Sequence, residues 1–336
     1  MSRLTVFFKS LRTRGRIRRH LQADLQPLGA ELGRLGLRFS RSSPFYYDCK
    51  LSRSGPRYGA DFIGPDFSRI VYRRASTFLY WLWRCPPEVA SITVNLSDGD
   101  RPSGAQFAGS VREPGTVALP DPYFFHHRGF EAQRHFAGQE SVPWPARSAK
   151  LRWRGATTGG GLFDRFSPES AWNPEVLQRL RMVLILRGQP DCDVVFSGSD
   201  RSSAHKEALL AHQLVGEPIQ EGGWLGDKFA LDVHGYANTW SNFLVRLHHG
   251  CCVIKVESQA GYRQWYYDRI RPWEHFVPVR ADMSDLVEKI DWARSHDAEA
   301  CRIAENGQAF ARSMTFEREA QWAVNAICTA NGVSPV

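Results

Sequence analysis

Long apolar runs, paired-cysteine motifs and metal-binding signatures are all missing from this sequence of 336 residues. No segment reaches the ~18 apolar residues that cross a bilayer, and the first apolar run is too short for a signal peptide. The seven cysteines are odd in number and form no CxxC pair. These absences argue against a membrane span, a disulfide framework and a zinc site, and they predict reduced thiols in a cytoplasmic protein.

Acidic residues are fewer than basic residues, and this difference indicates which partners to expect. Lys and Arg total 43 against 35 Asp and Glu, which gives a net charge of +8. Such a balance favours anionic partners: nucleotide phosphates, acidic glycans or anionic lipid. We expect no nucleic-acid partner, because no DNA- or RNA-binding motif is present. The hydrophobic fraction of 43% and the length suit one large or two ordinary globular domains.

The first 30 residues are basic, with apolar residues between the arginines. A basic amphipathic segment can lie on an anionic membrane, so residues 1–20 predict peripheral contact with the inner face. The alternative is an ordinary helix face packed on its domain, which the interruption at Gly15 favours. Both readings stay open on the sequence.

The stretch 228–258 has the pattern strand, turn, helix, strand. An apolar run leads into the small and polar turn 235–241, helical spacing follows, and the run 251–256 ends at Glu257 and Ser258. In an open α/β sheet, ligands bind at the carboxyl ends of strands, and helix N-termini attract anions. The pattern therefore predicts a ligand that carries phosphate and sugar.

Acidic residues follow two earlier segments. Residues 90–96 alternate as a strand does and lead into a polar turn, where Asp98 is either a general base or a turn-forming residue. Residues 116–125 resemble a second strand with a Pro-Asp-Pro turn, which makes Asp121 a weaker candidate for the base. Residues 40–65 are rich in Ser, Arg, Gly and Pro and are expected to form loops.

Residues 149–159 predict a strand followed by a flexible turn. Arg154 in this segment suits either bidentate contact with phosphate or a salt bridge at the strand end. Asn173 to Leu186 predict an amphipathic helix with Pro in its first turn. The pair Asp191 and Asp193 has the letters of a metal motif but begins an apolar strand, so we expect no metal site.

Several motifs occur in the order found in one enzyme family. DVHGYANTW (232–240), VIKVES (253–258), RPWEHFVPV (271–279) and IAENGQAFA (303–311) resemble the core of glycosyltransferase family 90. That family includes Rumi-type protein O-glucosyltransferases, fungal capsule-associated xylosyltransferases and bacterial lipopolysaccharide-modifying proteins. Animal members carry arginines where this chain has Thr157 and Ser241, and bacterial-type members look more like this chain there.

The resemblance implies an α/β fold with two Rossmann-like domains facing a cleft, the glycosyltransferase-B arrangement. Residues 1–148 would form the acceptor-side domain and 149–315 the nucleotide-sugar domain, with the helix 316–336 crossing back. The enzyme would move a glucose- or xylose-type sugar from a UDP-linked donor to a hydroxyl of a cell-envelope glycan or lipopolysaccharide. It would be metal-independent and need no cofactor beyond the nucleotide-sugar.

The resemblance also assigns roles to residues. Asn95 and Asp98 fit the family's Asn-x-x-Asp pattern, whose Asp is the catalytic base, and Asp100 and Asp121 are further acceptor-side candidates. Lys255 is either a donor contact or a cleft-edge charge, and Glu257 either accepts ribose hydroxyls or serves as a helix N-terminal charge. The donor-side residues as a set are Arg154, Gly155, Thr157, Thr158, Gly235, Tyr236, Ala237, Asn238, Thr239, Trp240, Ser241, Lys255, Glu257 and Ser258.

A second function class fits the same composition. The net charge and the eleven tryptophans also suit a non-catalytic protein that binds an acidic polysaccharide or nucleic acid. Stabilisation by a nucleoside diphosphate favours the enzyme, whereas a response to polyanions alone favours the binding protein.

Overall fold

The structure, a computed structural model, describes residues 3–40, 47–63, 68–199 and 202–334, with side chains from residue 13 onward. Its chain divides into two compact units. Unit 1 comprises Met1–Gly129, Arg263–Trp265 and Phe316–Val336, and unit 2 comprises Phe130–Tyr262 and Tyr266–Thr315. The chain thus leaves unit 1 after Gly129, whereas the sequence placed this boundary after residue 148.

Each unit is built on one β-sheet. The strands of the unit 1 sheet are β1 (Arg34–Ser40), β2 (Asp48–Ser54), β3 (Arg57–Ile63), β4 (Ser91–Asn95), β5 (Phe107–Ala108) and β6 (Val117–Ala118). The strands of the unit 2 sheet are β7 (Ser148–Ala156), β8 (Cys192–Gly198), β9 (Asp227–Asp232), β10 (Cys252–Val256) and β11 (Val277–Val279). The α/β class expected from the sequence is confirmed.

The helices cover these sheets. They are α1 (Arg3–Leu25), α2 (Arg69–Arg84), α3 (Pro122–His126), α4 (Glu131–Gln139), α5 (Gln178–Leu186), α6 (Ser203–Ala211), α7 (Asn242–His248), α8 (Leu286–Ser295), α9 (Asp297–Ser313) and α10 (Phe316–Ala330). In the part of the chain that the structure describes, none of them has the length and apolar character to cross a membrane.

The sheet of unit 1 is mixed. Its order is β1-β3-β2-β4-β5-β6, and β2 runs antiparallel to both β3 and β4 while the other pairs are parallel. The expectation of loops over 40–65 is wrong for the described residues 48–54 and 57–63, which form a hairpin. Its strands alternate between core residues such as Leu51 and Phe62 and polar residues on the opposite face. The amino-acid composition of the segment is therefore typical of a loop, although its apolar residues repeat every second position, as in a strand.

One face of this sheet carries the core of unit 1. Helices α1, α2 and α10 supply apolar residues to it, and α2 contributes the largest side chains, including Phe78 and Trp81. The Trp81 indole N–H donates to the carbonyl of Pro120 at 3.2 Å. The strand expected over 116–125 is wrong beyond residue 118. Pro122 stands at the first turn of α3, and Asp121 caps that helix, so the chain turns helical there.

The sheet of unit 2 is parallel throughout, in the order β11-β10-β9-β7-β8. Numbered within the unit, this is the doubly wound order 2-1-3-4-5, so the direction of winding reverses between β7 and β9. The predicted strand, turn, helix and strand over 228–258 are confirmed as β9, α7 and β10.

The helix predicted from residue 173 begins later, at Gln178. Leu162 and Val176 form a β-bridge, and the Asn173 side chain accepts from the N–H of Glu175, so the residues before Gln178 are held outside the helix. This places the N-terminus of α5 close to the end of β7, the strand that it follows.

Candidate functional site

A pocket of about 420 Å³ lies at the reversal point of the unit 2 sheet, where the carboxyl ends of β7 and β9 diverge. Volumes of ~300–1,000 Å³ are typical of small-molecule sites, and reversal points are where doubly wound sheets bind them. This switch-point pocket is lined by Gly160, Gly161, Pro174, Glu175, Leu177, Gln178, His234, Gly235, Tyr236, Ala237, Ser258, Gln259, Ala260 and Tyr262.

Glycines let the backbone form one wall of the pocket. Gly161 has a φ of 110°, and a side chain on it would come within 2.8 Å of the backbone of Glu175 and Leu177. Space is also tight at Gly235, where a Cβ would lie 2.8 Å from the Thr158 hydroxyl. The N-terminus of α5, at Gln178, lines the same pocket and directs the positive end of its dipole there.

An arginine from α5 joins the two diverging strands. Arg179 donates to the carbonyl of Ala156 at 2.9 Å, to the Thr158 hydroxyl at 2.5 Å and to the carbonyl of His234 at 3.0 Å. Its guanidinium is thus fixed beside the turn that begins at Gly235. Sequence reasoning missed Arg179, although its place in the first turn of the helix after β7 is a usable signal.

A buried ion pair supports that turn from below. Asp232 and Lys255 meet at 2.6 Å with both side chains almost fully enclosed. Burial alone would raise the pKa of Asp232 and lower that of Lys255. Each pKa instead moves the other way, because the two charges stabilise one another and Asn242 adds a hydrogen bond to Asp232 at 2.9 Å. The Thr239 hydroxyl donates to Asp232 at 3.3 Å, which ties the turn to the pair.

His234 lies between the ion pair and the pocket. Burial, followed by the charge of Lys255, lowers the pKa of His234 to about 3, so its ring is neutral near pH 7. Its Nε2 is 3.4 Å from the Lys255 ammonium, which can only donate, so we assign the ring proton to Nδ1. Within the described residues Nδ1 is buried and has no partner. His234 lines the pocket with its ring buried, so it shapes the wall rather than presenting Nδ1 to a ligand.

Four of the predicted donor-side residues line the pocket: Gly235, Tyr236, Ala237 and Ser258. Others hold the backbone behind it. Thr158 is held by Arg179, the Asn238 side chain accepts from the Tyr267 hydroxyl, and Thr239 binds Asp232. Trp240 adopts a φ of 52°, and Ser241 immediately precedes α7.

The remaining donor-side residues do not line the pocket. Arg154 forms an ion pair with Asp193 at 2.8 Å and donates to the carbonyl of Glu217 at 2.9 Å. Lys255 is the buried partner of Asp232, which is neither of the two roles weighed from the sequence.

Three further residues that were predicted on the donor side also lie outside the pocket lining. Gly155 packs on the ring of Trp153, and the buried Thr157 contacts Ser199 at 3.2 Å. Glu257 is exposed beyond the end of β10, and its backbone is held by Gln178 and Val279.

In unit 1, the turn after β4 presents Asp98. The Asn95 side chain accepts from the N–H of Ser97 at 2.8 Å, and Gly99, at a φ of 95°, completes the turn. The Asp98 carboxylate meets Arg74 at 2.5 Å, and 29% of its side chain remains exposed. The turn thus presents an oriented carboxylate that solvent can still reach.

The other two acceptor-side candidates have different surroundings. Asp100 pairs with Arg101 at 3.5 Å and lines a pocket of about 350 Å³ with Asn95. Asp121 is buried. One of its oxygens caps α3, and the other accepts from the Gln264 amide at 2.7 Å. Burial raises the pKa of Asp121 to about 6.

No group of three or more His, Cys, Asp or Glu suited to a metal ion occurs among the described residues.

Part of the chain is similar to known glycosyltransferases. The family model described as Glycosyl transferase family 90 matches residues 173–321. Protein O-glucosyltransferase 2 of Danio rerio is 52% identical over 60 residues, which are 18% of this chain and 12% of that protein. Protein O-glucosyltransferase 1 of Homo sapiens is 24% identical over 180 residues, which are 51% of this chain and 38% of that protein.

A viral protein and a solved structure also match part of the chain. Uncharacterized protein 035R of Invertebrate iridescent virus 3 is 30% identical over 192 residues, 54% of this chain and 16% of that protein. The structure of Anabaena Alr3699/HepE in complex with UDP-glucose has a TM-score of 0.35 at 11% identity and covers 59% of this chain and 53% of that one. A superposition this loose supports no conclusion about ligand or mechanism.

The chain spans less than two fifths of each of these three relatives, at 38%, 16% and 12%. The matched segment nevertheless contains α5, the turn after β9 and the end of β10, which together form most of the switch-point pocket. Residues 173–321, less than half of the chain, match the model of glycosyl transferase family 90, the family that the sequence motifs resemble.

Proposed function

We propose that the protein is a glycosyltransferase that binds a UDP-linked glucose- or xylose-type sugar in the switch-point pocket. The observation that carries the proposal is the pocket itself, which lies at the carboxyl ends of β7, β9 and β10 in a parallel sheet. The helix N-terminus and the glycine wall suit a diphosphate, and the Ser258 hydroxyl suits sugar hydroxyl groups.

Asp98 is the proposed general base. Its carboxylate removes the proton of an acceptor hydroxyl, the oxygen attacks the anomeric carbon, and the bond from that carbon to the diphosphate breaks. The nucleoside diphosphate leaves with the bonding electrons. Arg74 orients the carboxylate, and the partial exposure of Asp98 leaves an oxygen accessible to an acceptor.

The proposal includes metal independence. Arg179 and the N-terminus of α5 bring positive charge to the pocket, which is the role that a divalent ion plays in metal-dependent transferases. Turnover that persists in excess chelator supports this part of the proposal, and recovery that requires added manganese contradicts it.

The proposed acceptor is a glycan or glycolipid of a bacterial envelope, such as lipopolysaccharide, modified at the inner face of the membrane. Support comes from α1, where Arg14, Arg16, Arg18 and Arg19 carry positive charge at exposed positions. Side chains of residues 1–12 lie outside the described residues, so the expected contact over 1–20 rests on its second half.

Calorimetry with UDP and two glycine variants tests the pocket. A side chain at Gly160 meets nothing within 4 Å and Gly160 lines the pocket, so Gly160→Gln should fill the site without strain. We expect it to weaken UDP binding by at least ~10-fold, which is ~1.4 kcal/mol. Gly198→Gln, on β8, is the matched control, because its side chain also meets nothing within 4 Å.

Equal UDP affinity in the two variants would exclude the switch-point pocket as the nucleotide site. A wild-type protein that binds acidic polysaccharide but no nucleotide would favour the non-catalytic alternative.

A further inference from the structure

The β1-β3-β2 part of the unit 1 sheet has one face in the core and one face exposed. Leu35, Leu37, Leu51 and Ala60 point to the core, so the residues that alternate with them lie on the outer face. The strand register arranges these outer residues in rows that cross the strands.

The middle row consists of small residues. Gly36 is paired with Gly59, and Gly59 is paired with Ser52. With two glycines and a serine side by side, this row forms the floor of a trough. A cavity of about 480 Å³ lies along it.

Basic residues form both walls of the trough. In the row on one side, Arg34 is paired directly with Arg57. In the row on the other side, Asp61 of β3 lies between its register partners, Arg38 of β1 and Lys50 of β2. The two walls are four residues apart along the strands, or ~13 Å.

The charges of these walls are poorly compensated. Arg38 and Asp61 are 3.9 Å apart, and the Arg38 side chain is 85% exposed. Arg34, Lys50 and Arg57 form no side-chain hydrogen bond or ion pair within the described residues. Like charges directly opposite in a sheet are destabilising, so Arg34 and Arg57 would be relieved by an external anion.

The chemistry of the face selects among anionic ligands. No aromatic side chain lies on the outer positions of β1, β2 and β3 within the described residues, because Phe39, Tyr58 and Phe62 are on the core side. Binding of single-stranded nucleic acid depends on aromatic stacking, which this face does not offer. Guanidinium groups and hydroxyls, such as those of Ser52 and Ser54, suit carboxylates and sugar hydroxyls.

We propose that this basic trough binds an extended acidic glycan, at a site that uses none of the residues assigned to sugar transfer. The test measures anisotropy of a fluorescently labelled oligogalacturonate, without nucleotide. We expect the double variant Arg34→Gln and Arg57→Gln to weaken binding on the order of 10-fold. Because binding is measured without a donor, the result is independent of the proposed transferase activity.

Two further variants separate the effect of net charge on glycan affinity from the effect of the shape of the trough. Arg302→Gln with Arg312→Gln removes the same charge from exposed positions of α9 in unit 2 and should leave affinity nearly unchanged. Gly36→Gln keeps the charge but fills the trough, and its Cβ would meet only the carbonyl of Tyr58, at 3.8 Å. We expect it to weaken binding, while thermal unfolding confirms that each variant is folded.

Equal losses of glycan affinity in the two double variants would contradict binding in the trough, because affinity would then depend on net charge alone. Unchanged affinity in Gly36→Gln would overturn the assignment of the floor. Tighter binding of poly(dT) than of the uronate chain would overturn the choice of glycan.

Discussion

Asp98 in unit 1 and Asp232 in unit 2 occupy similar places and have different surroundings. Asp232 is the last residue of β9, Asp98 lies in the turn after β4, and each is paired with one cation. The side chain of Asp98 is 29% exposed, whereas that of Asp232 is fully buried. A carboxylate at a strand end is therefore not sufficient to mark a catalytic group.

The difference lies in what surrounds the carboxylate. Asp232 accepts from Lys255, Asn242 and Thr239, so its oxygens are committed to holding the pocket turn. Asp98 has Arg74 on one oxygen and solvent near the rest of the group. Burial and full hydrogen bonding indicate a structural acid, and partial exposure in a polar turn indicates one that can exchange a proton with a ligand.

The largest expected effect is on turnover. Asp98→Asn keeps the shape and removes the basicity, so we expect a loss of roughly 10²–10⁴-fold with nucleotide affinity nearly unchanged. Transfer from a panel of UDP-sugars to extracted envelope glycolipid provides the measurement. Asp100→Asn, in the same turn, is the matched control. If Asp98→Asn transfers sugar at a near-normal rate, the base lies elsewhere, and Asp100 and Asp121 follow in that order.

The second effect is on stability. Lys255→Met leaves the buried charge of Asp232 without its cation, and such a loss costs ~3–5 kcal/mol in the free energy of unfolding. Arg112→Met is the control, because Arg112 pairs with Glu113 at 2.7 Å with 50% and 68% of the two side chains exposed, and its loss should cost ~0.2–1 kcal/mol. Denaturant unfolding of the two variants gives both values. Similar losses would mean that the Asp232 pair is no more structural than a surface pair.

Two arginines of unit 2 can also be compared, to decide which of them supports nucleotide binding and which only stabilises the fold. Arg179 lies beside the pocket turn, whereas Arg154, the arginine assigned from the sequence, is paired with Asp193. We expect Arg179→Gln to weaken UDP binding by about 10-fold, or ~1.4 kcal/mol, because it releases the Thr158 hydroxyl and the His234 carbonyl beside the pocket turn. Arg154→Gln should have the smaller effect in the same calorimetric titration. A larger loss in Arg154→Gln would favour the assignment made from the sequence.

The sequence predicted β9 and β10 of unit 2 well because these two strands are buried on both faces. The apolar runs that became β9 and β10 are continuous and end at small or polar residues, which is an unambiguous pattern for a parallel strand. The hairpin of unit 1 was missed for the opposite reason. Its outer face is so polar that the apolar residues appear only at alternate positions, among Arg and Ser.

The site was predicted in part. The turn 235–241 was found because its small residues directly follow a strand, but the distinction between pocket and support depends on tertiary contacts. The sequence predicted Lys255 to be a donor contact or a cleft-edge charge, and only the pairing of β9 with β10 brings it to Asp232. Arg179 was overlooked because its partners are backbone oxygens of two distant strands, which no local pattern reveals.

The division of the chain between the units has a consequence for synthesis on the ribosome. Unit 1 is assembled from three separate segments, and its last helix, α10, contributes Ala320, Ala323 and Ile327 to a core that otherwise comes from the first 125 residues. That core stays incomplete until α10 has emerged. Unit 2 lies almost entirely within 130–315, so it can close first, against the usual N-terminal-first order of folding.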